Sequence, residues 1–192
     1  HKDDYICALS RLTEEKGIHY LIEAYQNVKT DKKLVIAGDT SDTDDYVKKL
    51  KELAGDNPNI IFTGFVSGKL LEEIYSNAYV YVLPSKLEGM PLSLLEAMSY
   101  GNCVIGSDIA EIADVVEDKA ILFKKANVED LKEKLQMVCD DVELVEKYKN
   151  EASGYICGKY NWEDVVNRTV EVYRGKKSCK EKLVENSSVA SI

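Results

Sequence analysis

Glu88 and Glu96 stand eight residues apart in the stretch EGMPLSLLEAMSYG, with Gly89 and Pro91 shaping the turn between them. Ionised carboxylates accept hydrogen bonds, so each glutamate could hold the hydroxyl groups of a ligand. Pro91 suits a first helical position and Gly101 a position just past a last turn, which predicts a helix over Pro91–Tyr100. On that helix Leu94, Leu95 and Met98 share one side, and Ser93, Glu96 and Tyr100 share another. Periodicity alone leaves Glu96 two readings, a ligand contact or a solvated polar face. The positively polarised start of such a helix, beside Glu88, suits a phosphate or an electron-rich oxygen.

A second set of groups lies in SRLTEEKG, where Arg11 and Lys16 follow an apolar run. Arg offers a planar fork and Lys a point charge, and together they could grip phosphate. Spacing leaves open that both are ordinary surface cations. Farther on, Gly38 in AGDTSDTDD could let backbone approach a ligand, while the acids after it read as caps for the next helix. In TGFVSGK, Phe65 stands either as a stacking surface or as a packed aromatic, and Ser67 reads as a helix cap. No strand-to-helix turn carries GxGxxG, so a nicotinamide or flavin dinucleotide is disfavoured and no cofactor is expected.

The elements that must position these groups are legible as apolar runs: YICAL (5–9), LVIA (34–37), NIIF (59–62), YVYVL (79–83), CVI (103–105) and AILF (120–123). Short continuous runs of this kind are strands buried on both faces of a parallel sheet. Helical patterns lie between them, on Ile18, Leu21, Ile22 and Tyr25, on Tyr46, Val47, Leu50 and Leu53, and on Leu70, Leu71, Ile74 and Tyr75. The alternation predicts an α/β fold, a doubly wound Rossmann-like parallel sheet of about six strands with helices on both faces. Ligands of such sheets bind beyond the carboxyl ends of the strands. After Phe123 only helices are expected, the last with Trp162, Val165, Val166, Thr169, Val170 and Tyr173 on one stripe behind an Asn161 cap. Residues 1–175 read as one domain and residues 176–192 as a flexible tail.

Composition narrows the function classes. The 192 residues are 45% hydrophobic and carry a formal charge of −9, with the acids dispersed. Nucleic acid, which wants clustered Lys and Arg, is not an expected partner. No apolar run approaches the roughly 20 residues that cross a bilayer and no signal-peptide pattern opens the chain, so the expectation is cytoplasmic. The five cysteines, at 7, 103, 139, 157 and 179, make no CxxC pair and read as buried or incidental thiols. Only His1 and His19 are histidines.

Taken in order and spacing, SRLTEEKG, VIAGD, NIIFTGFV, YVYVLPSKLEGMPLSLLEAMSYG and VIGSD resemble the carboxyl-terminal domain of the family 4 (group 1) retaining glycosyltransferases of GT-B fold. The resemblance runs over roughly residues 4 to 174 and is most specific in the Glu-x7-Glu segment. It implies a nucleotide-diphosphate-sugar donor, with Arg11 and Lys16 on the diphosphate and Glu96 on the ribose hydroxyls. Glu88 and the backbone at Gly89, Met90 and Pro91 would hold the donor sugar, and Phe65 and Leu92 would line the pocket. Arg11, Lys16 and Glu88 are the implied catalytic groups. The implied reaction is metal-free transfer of a hexose or similar sugar to a carbohydrate or lipid-linked acceptor, in cell-surface polysaccharide or glycoconjugate synthesis.

Two departures accompany the resemblance. Where the family has a Gly-Gly-Ile-Pro-Glu-like turn, this chain reads AEIAD, Ala110–Asp114, and the link to the sixth strand is shortened. A GT-B enzyme also has an amino-terminal acceptor domain, and no segment here matches it, which reads as one half of a longer protein, itself a candidate for peripheral membrane association at the inner face. Two alternatives are a nucleotide-sugar epimerase, which would need acid and base groups that one interior histidine hardly supplies, and a non-catalytic nucleotide-binding module.

Overall fold

The computed structural model describes residues 2–39 and 44–174. Six strands alternate with helices: β1 (Tyr5–Leu9), α1 (Ile18–Tyr25), β2 (Lys33–Ala37), α2 (Asp44–Ala54), β3 (Ile60–Gly64), α3 (Gly68–Asn77), β4 (Val80–Leu83), α4 (Leu92–Ser99), β5 (Cys103–Ser107), α5 (Ala110–Val116) and β6 (Ile121–Phe123). Three further helices follow, α6 (Val128–Asp140), α7 (Val142–Lys159) and α8 (Trp162–Tyr173). All neighbouring strands are parallel, in the order β3-β2-β1-β4-β5-β6. The order reverses between β1 and β4, and a crevice opens at such a switch point because successive crossovers leave to opposite faces.

In β1, β4 and β5 the strand residues alternate between two apolar layers, which is why these runs are continuous rather than alternating. β3, expected to be buried on both faces, stands at the sheet edge with Ile61 and Thr63 exposed. Ile6, Ala8, Leu34, Ile36, Val80, Val82 and Ile105 point into a core shared with Leu21 and Ile22 of α1, Leu50 of α2 and Leu131 and Leu135 of α6. On the other face Tyr81 meets Tyr75 of α3, and Gly106 leaves room for Ile112 of α5. A Cβ on Gly106 would come within 2.7 Å of the Ile112 side chain, so the glycine is there for close helix–sheet packing.

Residues 110–116, which include the departure AEIAD, form α5, where Ala, Glu, Ile and Val sustain a helix around buried Ile112, Val115 and Val116. Two expectations about α3 are corrected. Leu70, expected on the apolar side of α3, is exposed, while Ile74 and Tyr75 are buried. Ser67 stands at the N-cap of α3 without a side-chain capping bond. Residues 40–43 of the stretch expected to cap α2, Asp42 among them, and the tail expected over 176–192 lie outside the described residues. The chain divides into two compact units, ending at Ile156 and beginning at Cys157. In the second, α8 begins directly after Asn161, and Val166, Val170 and Tyr173 on its apolar stripe are exposed.

Cys7 and Cys103 are buried, and burial pushes both thiols up to about 12, which leaves neither a nucleophile at neutral pH. No described helix is long and apolar enough to cross a membrane.

Candidate functional site

The loop after β1 and the loop after β4 are locked together across the switch point. Gly17, at φ +67°, sits so close to the second loop that a Cβ would lie 2.1 Å from the Pro84 carbonyl oxygen. The Lys86 amide donates to the Glu15 carbonyl at 2.7 Å. Lys16 then reaches across, its Nζ 2.8 Å from Glu88 Oε1. Ser85 Oγ donates to the same oxygen at 2.6 Å, and Ser107 Oγ in turn donates to the Ser85 carbonyl at 2.5 Å. Lys16 and Glu88 retain 16% and 6% of their side-chain exposure, so this is a largely desolvated ion pair with a third, neutral donor. Such a pair stands because each charge has a partner and the carboxylate has a second hydrogen bond.

Arg11 lies on the other flank, exposed at the rim of a cavity of about 470 Å³ whose lining includes Ser10, Gly38, Asp39, Phe65 and Ser93. Gly38 has φ +139°, and a Cβ there would stand 1.8 Å from the Ser10 carbonyl oxygen, so only glycine lets the loops after β1 and β2 come this close. Phe65 is 76% exposed, which settles its two readings against a packed core aromatic. A broader depression of about 740 Å³ runs along α2 past Lys48, Lys51, Glu52 and Asp56. It lacks the convergence of loops from several strand ends, and the crevice is the better ligand site.

The first turn of α4 differs from the expectation by one residue. Pro91 is its N-cap rather than its first helical residue: at ψ 69° its carbonyl accepts from the Leu94 and Leu95 amides while the chain before it turns away. The Leu92 amide is itself taken by the Met90 carbonyl at 2.9 Å, so the helix start offers fewer amides to an anion than its sequence promised. Leu92 and Met90 are exposed around this turn. Gly101, at φ +76°, closes the helix with its amide on the Met98 carbonyl.

Glu96 lies on the exposed face of α4 and is nonetheless held. The Tyr75 hydroxyl of α3 donates to Glu96 Oε2 at 3.0 Å. Tyr75 is 1% exposed, and burial, reinforced by Tyr81 and the Glu96 charge, drives its phenol well above the ordinary range, so it stays a protonated donor. Tyr100 stacks on the Tyr75 ring, centroids 5.5 Å apart. Beside them the Tyr81 hydroxyl donates to the Leu9 carbonyl at 3.0 Å and lies 2.8 Å from Ser93 Oγ, which ties α4 to the end of β1. Tyr75, Ser85 and Tyr81 were not singled out in the sequence. The signal was present, because a tyrosine inside a buried apolar pattern needs somewhere to send its hydroxyl.

A six-stranded parallel sheet in the order 3-2-1-4-5-6, with the loops after β1 and β4 joined at its switch point, defines a Rossmann-like domain. The chain belongs to the Glycosyl transferases group 1 family, whose sequence profile matches residues 1–155. An uncharacterized glycosyltransferase of Methanocaldococcus jannaschii is 33% identical over 173 residues, covering 88% of this chain and 44% of that protein. The alpha-D-kanosaminyltransferase of Streptomyces kanamyceticus is 26% identical over 171 residues, with 86% and 44% covered. HepE of Anabaena, whose crystal structure holds UDP and glucose, superposes with a TM-score of 0.83 at 19% identity, over 91% of this chain and 49% of its own. That likeness shows the fold, one Rossmann-like half of a GT-B architecture, as the sequence resemblance implied. The chain spans less than half the length of the curated relatives it matches.

Proposed function

We propose that this chain is the donor-binding, carboxyl-terminal half of a retaining glycosyltransferase. In this reading it holds a nucleoside-diphosphate sugar, and an amino-terminal half supplies the acceptor site. The observation that carries the reading is the Lys16–Glu88 pair, which joins the loops after β1 and β4 at the switch point beside a crevice lined by Arg11, Phe65 and Ser93 of α4. Lys16, Glu88 and Glu96 are not themselves among the residues lining that crevice. Family membership and the UDP and glucose held by HepE support it.

The division of labour follows from chemistry. Cleaving the anomeric bond leaves a nucleoside diphosphate that gathers negative charge, and Arg11 with the remaining N–H bonds of Lys16 answers that charge. Each fixed donor aimed at developing charge contributes on the order of 10² to 10³ in rate. Glu96 takes the ribose hydroxyls, and Glu88 with the backbone of Gly89, Met90 and Pro91 takes the sugar, fixing the anomeric carbon for attack. Phe65 and Leu92 give the pocket its apolar walls. The whole enzyme transfers a hexose or similar sugar to a carbohydrate or lipid-linked acceptor of surface polysaccharide synthesis, at the cytoplasmic face. The 192 residues alone bind donor without transferring it.

Calorimetric titration with UDP, GDP, ADP and their glucose conjugates tests the reading, repeated on Arg11→Ala and Glu96→Ala. Binding of one nucleotide, weakened in both variants, is the expected result. Sugar transfer by these residues alone to a defined acceptor, or undiminished binding in both variants, would overturn it.

A further inference from the structure

We infer that Tyr75 is a positioning residue that acts through Glu96, aiming one carboxylate edge at the ribose diol so that the site prefers ribonucleotides to 2′-deoxyribonucleotides. The inference rests on the ribose role proposed for Glu96.

Glu96 stands on a solvent-facing helix surface, where a glutamate side chain ordinarily samples many rotamers and must be immobilised when a ligand arrives. Here that freedom is already restricted. Tyr75 is anchored by burial against Tyr81 and by the Tyr100 stack, and it has only two side-chain torsions, so its hydroxyl is a nearly fixed point. That hydroxyl has a single proton and two acceptors in reach, Glu96 Oε2 at 3.0 Å and the Ser93 carbonyl at 3.3 Å. The charged and nearer acceptor takes it. With Oε2 occupied, Oε1 is the oxygen turned to a ligand, and a carboxylate held by one oxygen presents the other in a defined direction. Two adjacent ribose hydroxyls need that direction more than one hydroxyl does. Burial keeps the phenol protonated across the working pH range, so the anchor does not switch off.

Tyr75→Phe removes the hydroxyl and keeps the ring, its packing and the Tyr100 stack. The test is calorimetric titration of the 192-residue chain with UDP, GDP and ADP and with the 2′-deoxy form of each, for wild type, Tyr75→Phe, Glu96→Ala and the double variant. The expected result is a ribose preference in wild type that falls about fivefold in Tyr75→Phe, with affinity for the deoxy form unchanged within about twofold. Adding Tyr75→Phe to Glu96→Ala then changes nothing further, because the tyrosine has no other route to the ligand. A purely structural tyrosine would weaken both forms equally. A Tyr75→Phe chain that keeps the wild-type preference overturns the inference while leaving the role of Glu96 standing. A wild-type chain with no ribose preference overturns that role and the inference with it. Should the phenylalanine variant not fold, Glu96→Asp withdraws the carboxylate from the same hydroxyl, and an unchanged preference there is equally fatal.

Discussion

Lys16 Nζ lies 2.8 Å from Glu88 Oε1, joining two loops whose residues are 72 positions apart in the chain. The contact makes the first loop and the fourth a single unit, and each member keeps the other from being an unpaired charge in a largely dry place.

Removing the cation alone is therefore costly. Lys16→Met leaves Glu88 with Ser85 as its remaining hydrogen-bond donor among these contacts, and an expected loss of about 2 to 3 kcal/mol follows from stranding a mostly buried charge. Lys16→Met combined with Glu88→Leu recovers most of that loss. Urea denaturation of the three proteins at neutral pH checks it, and a double variant no more stable than the single one would show that the cost lies elsewhere.

Two glycines of similar backbone conformation should respond differently to alanine. Gly55 has φ +58° with nothing within 4 Å of a new Cβ, so Gly55→Ala meets only left-handed strain, about 1 kcal/mol. Gly17 has φ +67° and the Pro84 carbonyl oxygen 2.1 Å away, so Gly17→Ala must also push the loops apart and should cost more than about 3 kcal/mol. Melting temperatures decide this directly, since equal shifts for the two variants contradict the close approach.

His19 gives the fold a sloping acid limb. Its Nδ1 is 2.7 Å from the Tyr46 hydroxyl, whose own pKa burial raises to about 12, so the phenol donates to a neutral imidazole. Burial first, then Lys49 and Lys86, lowers the His19 pKa below its ordinary 6.5, while Glu14 opposes them weakly. The unfolded chain thus takes up this proton at higher pH than the folded one. Stability is full above about pH 6.5 and declines as pH falls through the folded value. His19→Gln should flatten that decline in urea midpoints measured from pH 7.5 to 5. With His1 the one other histidine, NMR titration of the two imidazoles should find one of them below 6.5.

Arg11 separates recognition from folding. Being exposed, its replacement by alanine should change stability by less than about 0.5 kcal/mol. On the proposed function it should weaken a nucleoside diphosphate by about tenfold to a hundredfold and leave the bare nucleoside unaffected. Parallel titrations with diphosphate and nucleoside test this, and equal losses for both would place Arg11 away from the phosphates.

The sheet was legible because its strands are centred on short apolar runs with no competing helical period, and the helices because their stripes repeat. The helix over 110–116 was not, since seven residues are too few to show a period. In the candidate site, residue types pointed to the loops after β1 and β4, while the contacts between them stayed hidden. Nothing local in SRLTEEKG says that Lys16 will meet Glu88 rather than solvent, and Tyr75 reads as one more apolar position on α3. Both facts depend on which strand ends become neighbours, and that is a property of the whole topology.

The same topology bears on how the molecule assembles. β1 and β2 are joined by five register pairs, whereas β1 and β4 share two, Ile6 with Val80 and Cys7 with Tyr81, across some seventy residues of intervening chain. Loop-closure entropy makes the least local pairing the slowest to form, and a short ladder is the easiest to open. The crevice is thus cut along the late-forming join of the sheet. Any molecule seated there touches loops from both sides, so it fastens the join that holds it, and occupancy should slow unfolding more than it speeds folding.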